Sequence, residues 1–227
     1  PIGDGTWTNV KTDDFNSLDT TYWYRNYWGS NSINGCQYDD VSNVFTGFGY
    51  LWIKYEKLNS PLIQTQHDWD PSVTPSNPLY WHYKGGAVVT KPQYKYGYYE
   101  ISAIMPSGAG FYPAFWVYAS DNWKGYPGCS WYNEIDAVEI FGCQSITNDS
   151  IPHNMHILRS PYSSCTPNYT PSTLDAPVPN LVTERKHAFL WEKNKVTFFL
   201  DDKELSYWID EQQEINHALH VIVNLSV

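Results

Sequence analysis

Short segments rich in β-branched and aromatic residues recur along this chain, separated by clusters of glycine, proline, asparagine and aspartate. Long stretches of alanine, leucine, glutamate and lysine are missing. Such residues favour strands because their side chains pack well on a pleated surface. The pattern predicts an all-β fold, a two-sheet antiparallel sandwich, with strands at 41–46, 49–56, 86–91, 96–105, 111–118, 133–141, 153–159, 186–192, 195–200 and 217–225.

The chain organisation is simple, since no repeat, low-complexity tract or charge run marks a linker. Sandwiches of this length commonly form one domain, so we predict a single domain over residues 1–227. Two long stretches, 59–81 and 119–131, are predicted to be irregular loops bordering a functional site. Helix signals are weak, and 210–218 is predicted as one short helix.

Aromatic residues are 17% of the chain, including 11 Trp and 19 Tyr, although the mean hydropathy is only -0.49. A core does not account for so many rings in a hydrophilic chain, so some should line a surface where flat apolar faces meet a ligand. With 14 basic and 24 acidic residues, the net charge of -10 repels nucleic acid, anionic membranes and heavily sulfated polymers. We expect a neutral ligand, a monomer, and no nucleic-acid partner. We also expect no membrane contact, because no apolar run approaches the ~20 residues of a membrane helix.

Four cysteines, at positions 36, 129, 143 and 165, lack the C-x-x-C spacing of zinc sites. Their even number allows up to two disulfides in three full connectivities, and four unpaired thiols remain the alternative, because the sequence does not reveal the redox compartment. If the 133–141 and 153–159 strands form a meander, Cys129 and Cys165 lie at the same end of that pair and are the candidates for a bridge.

Three acids, Glu134, Asp136 and Glu139, lie in an otherwise apolar predicted strand. On a regular strand the first two share a face, whereas Glu139 points to the other. One extra residue near 137–138, as a β-bulge, would return Glu139 to their face. The two Glu backbones would then lie about 13 Å apart, and their side chains would bring the carboxyls to roughly 5–6 Å. That separation favours a retaining glycosidase, since an inverting one needs more space.

Retaining chemistry also needs one ionised and one protonated carboxyl. Three acids on one face repel one another, so the pKa of at least one should rise, and Asp136 between the two Glu residues can hydrogen-bond Glu134. A solvated acidic face or a calcium site is the alternative. Calcium loops usually contain Gly and Asn turns, whereas apolar residues alternate with the acids here. We expect that no cofactor is required, and a structural calcium ion is the alternative.

The stretch E-I-D-A-V-E over 134–139 resembles the E-x-D-x-x-E signature of bulge-containing enzymes of glycoside hydrolase family 16. Other segments resemble further strands of that family in the same order. They are D-F-N at 14–16 with Trp23, S-N at 42–43 with G-Y-L at 49–51, G-A-V-V-T-K at 86–91, Y-G-Y-Y-E at 96–100, M-P-S-G-A-G-F-Y-P-A-F-W at 105–116, H-A-F-L-W at 187–191 and V-T-F-F-L-D-D at 196–202. The resemblance covers nearly the whole chain.

The resemblance implies a β-jelly-roll sandwich with an open concave substrate cleft, and internal, retaining cleavage of β-linked glucans or galactans. Carried over by position, Glu134 is the nucleophile, Asp136 its assisting acid and Glu139 the acid/base. We expect a secreted, periplasmic or cell-surface protein that acts on a polysaccharide.

The resemblance also implies substrate-binding residues. Trp116 matches the tryptophan that packs under the sugar, Asn43 an asparagine on the glycone side, and His156 a residue of the neighbouring cleft strand. Tyr112 and the loop residue Trp131 are expected to stack on sugars near the acids. Each has an alternative role: Trp116 in the core, Trp131 as a loop anchor, Asn43 as a turn cap and His156 as a half-buried structural histidine.

The sequence departs from the family at three places. Ser102 replaces an arginine and Asp201-Asp202 replaces the usual Asp-Gly turn, and the resemblance leads us to expect one more strand after residue 227. A non-catalytic β-glucan-binding module on this scaffold would characteristically lose a catalytic glutamate, whereas both are kept here. We expect a β-1,3- or mixed-linkage glucan as substrate, with an agarase- or porphyranase-like galactan as the alternative.

Overall fold

Sixteen β-strands and one short 3-10 turn make up the secondary structure of the residues that the computed structural model describes. Those residues are 7–27, 32–34, 37–66, 72–106, 111–120, 132–140, 150–158, 174–177, 183–209, 215 and 217–226. Within these ranges there is no α-helix, and none of the four cysteines falls in them. The cysteine pairings and most of the helix predicted over 210–218 therefore lie outside the described residues.

The strands, in chain order, are β1 Trp23–Arg25, β2 Ser32–Asn34, β3 Gln37–Asp39, β4 Val44–Gly47, β5 Tyr50–Ile53, β6 Glu56–Gln64, β7 Leu79–Thr90, β8 Gly97–Ala103, β9 Tyr112–Ser120, β10 Tyr132–Glu139, β11 Ser150–Leu158, β12 Leu174–Pro177, β13 Arg185–Trp191, β14 Lys195–Leu200, β15 Lys203–Ile209 and β16 His220–Ser226. A 3-10 turn over Val41–Asn43 precedes β4. The all-β prediction is confirmed.

Two compact units divide these strands. The first comprises the described residues among Pro1–Asp13 and Thr90–Val223, and the second those among Asp14–Val89 and Asn224–Val227.

The first unit contains strands of two sheets. One has the order β12-β11-β10-β9-β16, and the other has the order β15-β14-β13-β8. The pairings of β9 with β10 and of β13 with β14 and β8 are antiparallel. This unit confirms the predicted two-sheet antiparallel sandwich.

An apolar core lies between these two sheets. Strand alternation sends Phe115 and Val117 of β9 inward, and Phe189 and Trp191 of β13 meet them from the other sheet. The rings of Phe115 and Phe189 are 5.9 Å apart between centroids, and Tyr99 stacks on Phe189 at 4.7 Å. Burying each such side chain contributes about 1.5–3 kcal/mol, so this core holds β9 and β10 in place.

The second unit is organised around β7. Strands β1, β3 and β6 pair with β7, and β4 and β5 form a separate hairpin. The approach of neighbouring backbone requires glycine at position 85, since an added Cβ there would lie 2.2 Å from the carbonyl oxygen of Leu225.

β3 pairs with β7 in parallel, whereas β6 pairs with β7 antiparallel. One prediction for this part of the chain is wrong. The stretch 59–81 is not one irregular loop, because β6 extends to Gln64 and β7 begins at Leu79. Pro61 hid the strand in the sequence; it lies where the register of β6 shifts between Lys57 and Leu62, and a bulge on a strand tolerates proline.

The hairpin between β14 and β15 turns at the departure noted in the sequence. Asp201 and Asp202 have φ of 49° and 65°, the left-handed conformation that Gly, Asn and Asp adopt most easily in tight hairpins. Lys186 contacts Asp202 at 3.0 Å, and Arg185 contacts Asp201 at 2.6 Å. The two aspartates therefore serve the turn in place of Asp-Gly.

Candidate active site

Strand β10 carries the three acids, and its register with β9 determines the direction of each one. Glu134 lies opposite Tyr118 and Asp136 opposite Trp116. The register then shifts between Asp136 and Val138, so that Ala137 is an extra residue. The predicted β-bulge is confirmed.

The bulge changes the face of every residue that follows it. Val138 pairs with Phe115, a core residue, and Glu139 pairs with Ala114. Ala114 and Trp116 share a face because they are two residues apart on β9. Glu139 therefore returns to the face of Glu134 and Asp136, while Ile135 and Val138 remain in the core.

Burial sets the electrostatics of this face. Asp136 is only 1% exposed, and Glu139 is 5% exposed. Burial raises the pKa of Asp136 well above its ordinary value, and the charges of Glu134 and Glu139 and a hydrogen bond with Glu134 raise it further. The expected rise in one pKa is confirmed. A protonated Asp136 donates a hydrogen bond to Glu134 and leaves the negative charge there.

Tyr112 contacts the acids in a way that the sequence did not predict. Its hydroxyl donates a hydrogen bond to Oε1 of Glu139. Burial raises the pKa of Tyr112, as do the charge of Glu139 and this hydrogen bond, so the hydroxyl stays protonated and remains a donor.

Trp116 lies on the acid face and outside the core. It is half-buried, directly opposite Asp136, and its ring lies 5.6 Å from that of Tyr118. The predicted alternation of β9 is confirmed, with Phe115 and Val117 inward and Trp116 outward. Tyr118, opposite Glu134, is an aromatic residue of this face that the sequence analysis missed, although its position two residues beyond Trp116 could have identified it.

The other predicted substrate-binding residues do not lie on β9 or β10. His156 on β11 lies opposite Glu134 in the register, on the strand next to the acids. Asn43 ends the 3-10 turn of the second unit, where it is fully buried and its side-chain amide donates to the carbonyl of Lys84 at 3.0 Å. Asp40, and not Asn43, caps that turn. Trp131 lies outside the described residues.

No group of three or more His, Cys, Asp and Glu residues in the described ranges is arranged to hold a metal ion. None of the secondary structure described includes a helix long and apolar enough to cross a membrane.

A sandwich that carries two glutamates on one face of a bulged strand has the chemical groups of a glycoside hydrolase. The family model for "Glycosyl hydrolases family 16" matches residues 52–222 of this chain. The chain belongs to glycosyl hydrolase family 16, which confirms the family resemblance of its sequence.

Two curated relatives of this chain are named as enzymes with different substrates. The chain is 25% identical over 149 residues to endo-1,3-1,4-beta-glycanase EglC of Rhizobium meliloti, covering 65% of this chain and 28% of that protein. It is 30% identical over 144 residues to beta-porphyranase D of Zobellia galactanivorans, covering 61% of this chain and 31% of that protein. The chain thus aligns with less than a third of the length of each.

Solved structures share the fold over nearly the whole chain. One, from a study of endo-acting O-glycanases with which human gut microbiota initiate mucin breakdown, superposes with a TM-score of 0.74 at 20% identity, covering 98% of this chain and 81% of that one. The laminarinase catalytic domain of Thermotoga maritima superposes with a TM-score of 0.68 at 19% identity, covering 98% and 88%. These likenesses agree with the predicted jelly-roll fold.

Proposed function

We propose that this protein is a retaining endo-β-glycanase that hydrolyses internal β-linkages of a polysaccharide. The observation that supports the proposal most strongly is the register shift between Asp136 and Val138, which directs Glu134, Asp136 and Glu139 to one face. A regular strand would point Glu139 into the core and leave one glutamate without access to a sugar.

In the proposed first step, the Glu134 carboxylate attacks the anomeric carbon while Glu139 gives its proton to the departing glycosidic oxygen. The bond from the anomeric carbon to that oxygen breaks, and a glycosyl ester with Glu134 forms. In the second step, Glu139 removes a proton from water, and the water oxygen displaces Glu134. Two inversions at the anomeric carbon give net retention.

Asp136 and Tyr112 each hydrogen-bond a different catalytic glutamate. Asp136, whose pKa is raised, keeps its proton and stabilises the Glu134 anion through a hydrogen bond. Tyr112 donates a hydrogen bond to Oε1 of Glu139 and thereby orients its carboxyl group. Trp116, half-buried on the same face, offers a flat ring to the sugar at the cleaved bond.

For the substrate, we propose a β-1,3- or mixed-linkage glucan. The relative EglC carries the name of a 1,3-1,4-beta-glycanase, and the net charge of -10 disfavours a densely sulfated chain, which needs cationic subsites. A galactan is the second candidate, because the porphyranase relative has the higher identity, 30%. We also propose that the protein is secreted or at the cell surface, and that it acts as a monomer without a cofactor.

A panel of laminarin, lichenan, agarose, porphyran and carrageenan, with sizing of early products, tests both substrate and mode of attack. Internal cleavage yields mixed oligomers from the start. A proton NMR time course reports the first anomer released, and we expect the β-anomer. Release of the α-anomer would contradict the retaining mechanism, and early products consisting of a mono- or disaccharide alone would contradict internal cleavage. Binding to a polymer with no cleavage of any would favour a non-catalytic binding module.

A further inference from the structure

The hairpin of β4 and β5 exposes aromatic rings that the acid face does not use. Phe45 and Trp52 lie directly opposite each other, and Tyr50 is two residues from Trp52 on the same face. Their exposed fractions are 42%, 47% and 49%, and Phe48 at the turn is 97% exposed. These four residues, Phe45, Phe48, Tyr50 and Trp52, are called the hairpin platform below.

Aliphatic and aromatic residues are segregated between the two faces of this hairpin. Val44, opposite Ile53, is 1% exposed and packs toward β7, where an added Cβ on Gly86 would lie 2.8 Å from its Cγ2. The solvent face is therefore aromatic, with the aliphatic residues turned inward. Contiguous exposed apolar patches commonly mark binding sites, whereas single exposed apolar residues do not.

The rings of the platform are held in fixed orientations. The Trp52 indole nitrogen donates to the carbonyl of Gly47 at 2.9 Å, which uses its polar group within the hairpin. The planes of Phe45 and Trp52 are within 7° of parallel, and Tyr50 meets Trp52 edge-on. Rings that are already ordered lose little side-chain entropy when a ligand binds.

Phe48 has a backbone conformation that is unfavourable for its residue type. Its φ is 57° and that of Gly49 is 76°, as in a two-residue hairpin turn that normally takes Asn-Gly or Asp-Gly. A bulky residue there costs about 1–2 kcal/mol. The ring is almost fully exposed, so packing within the protein does not offset that cost.

Charge decides which ligand suits this surface. Residues 44–53 contain no charged side chain, so the hairpin lacks the arginines and charged rim by which protein partners are usually oriented. A neutral pyranose offers an apolar C–H face that an aromatic ring can cover. Nothing in the hairpin repels such a sugar.

We propose that the hairpin platform is a second carbohydrate-binding site, which holds a neutral β-linked polysaccharide by stacking on Phe45, Tyr50 and Trp52. The ligand class rests on the proposed function, whereas the site itself rests on the exposed rings. None of its residues belongs to β10 or β9. A second binding site would raise the local concentration of polymer at the enzyme without adding a catalytic group.

Affinity electrophoresis in gels containing laminarin, lichenan or agarose tests the site without cleavage, in the E134Q background. Adding F45A and W52A should weaken polymer binding about tenfold, by the area of the two rings removed. The matched control is Y207A, which removes a ring that is also exposed but lies on β15, and it should leave retardation unchanged. With Glu134 intact, F45A/W52A should cleave a tetrasaccharide at the parent rate.

A second variant, F45L/W52L, keeps apolar bulk but removes the flat rings, and it replaces the alanine variant if that one fails to fold. Undiminished retardation in F45L/W52L would overturn the stacking proposal, and so would absence of retardation in the E134Q parent. A dimer that F45A/W52A converts to a monomer would assign the platform to a second copy and would also overturn it. Because retardation is measured without turnover, failure of the proposed catalysis is detected separately.

Discussion

Replacing Tyr112 by phenylalanine removes one oxygen and leaves the ring in place. The lost hydroxyl donates to Oε1 of Glu139, which is buried with 5% of its surface exposed. Glu139 becomes ionised as it gives up its proton in the transition state, and a hydrogen bond to an ionised group is worth about 1.5–3 kcal/mol. At 1.36 kcal/mol for each factor of ten in rate, Y112F should lower kcat/KM by about 10- to 150-fold.

Aryl β-glycosides provide the assay, because their leaving groups differ in the need for a proton. If Tyr112 orients the acid/base Glu139, the loss of kcat/KM should be large with a phenol-like leaving group and small with dinitrophenol, which departs unprotonated. The pKa of Tyr112 is raised, so the hydroxyl is a donor across the whole assay range and the effect should not vanish at alkaline pH. Y207F, at an exposed tyrosine of β15, is the control.

Two results would refute this account of Tyr112. A Y112F enzyme with the parent kcat/KM on phenyl glycosides would show that the hydrogen bond has no catalytic role. An equal loss with both leaving groups would assign Tyr112 to sugar binding, the role that its sequence position suggested.

Three further predictions concern β10. E134Q and E139Q should each lower turnover by orders of magnitude with an unchanged melting temperature, and parent activity in either variant would contradict the assigned roles. Azide should restore activity in E139Q alone and give a β-glycosyl azide. Deleting Ala137 should abolish activity and lower the melting temperature, because loss of the bulge turns Glu139 into the core; an active deletion variant would contradict the register. D136N should be more stable than the parent at pH 7, because the pKa of Asp136 is raised in the folded protein and its carboxyl costs stability as pH rises above the unfolded pKa of about 3.9. Urea unfolding should show this difference in the free energy of unfolding at pH 7 and not at pH 3.

Strand periodicity made the bulge predictable from the chain alone. Glu134 and Glu139 are five residues apart, an odd number, so they share a face only if one extra residue interrupts the two-residue period. The same period separated Phe115 and Val117 from Trp116 on β9. These features depend on neighbours within one strand, and the local order of residue types specifies them.

Strand boundaries were less predictable where local signals conflict. Pro61 and the polar residues around it concealed β6, whose pairing with β7 overrides local preference. The parallel pairing of β3 with β7 joins segments more than forty residues apart, and no periodicity in either segment encodes its direction.

The sequence by itself determined the family, the all-β class and the face that carries the acids. Tertiary structure alone decided how those acids differ. Tyr112 reaches Glu139 across 27 positions of the chain, and the pKa of Asp136 rises because packed strands exclude water from it. Hydrogen-bond partners and burial depend on which distant side chains come together, and a strand pattern carries no information about them.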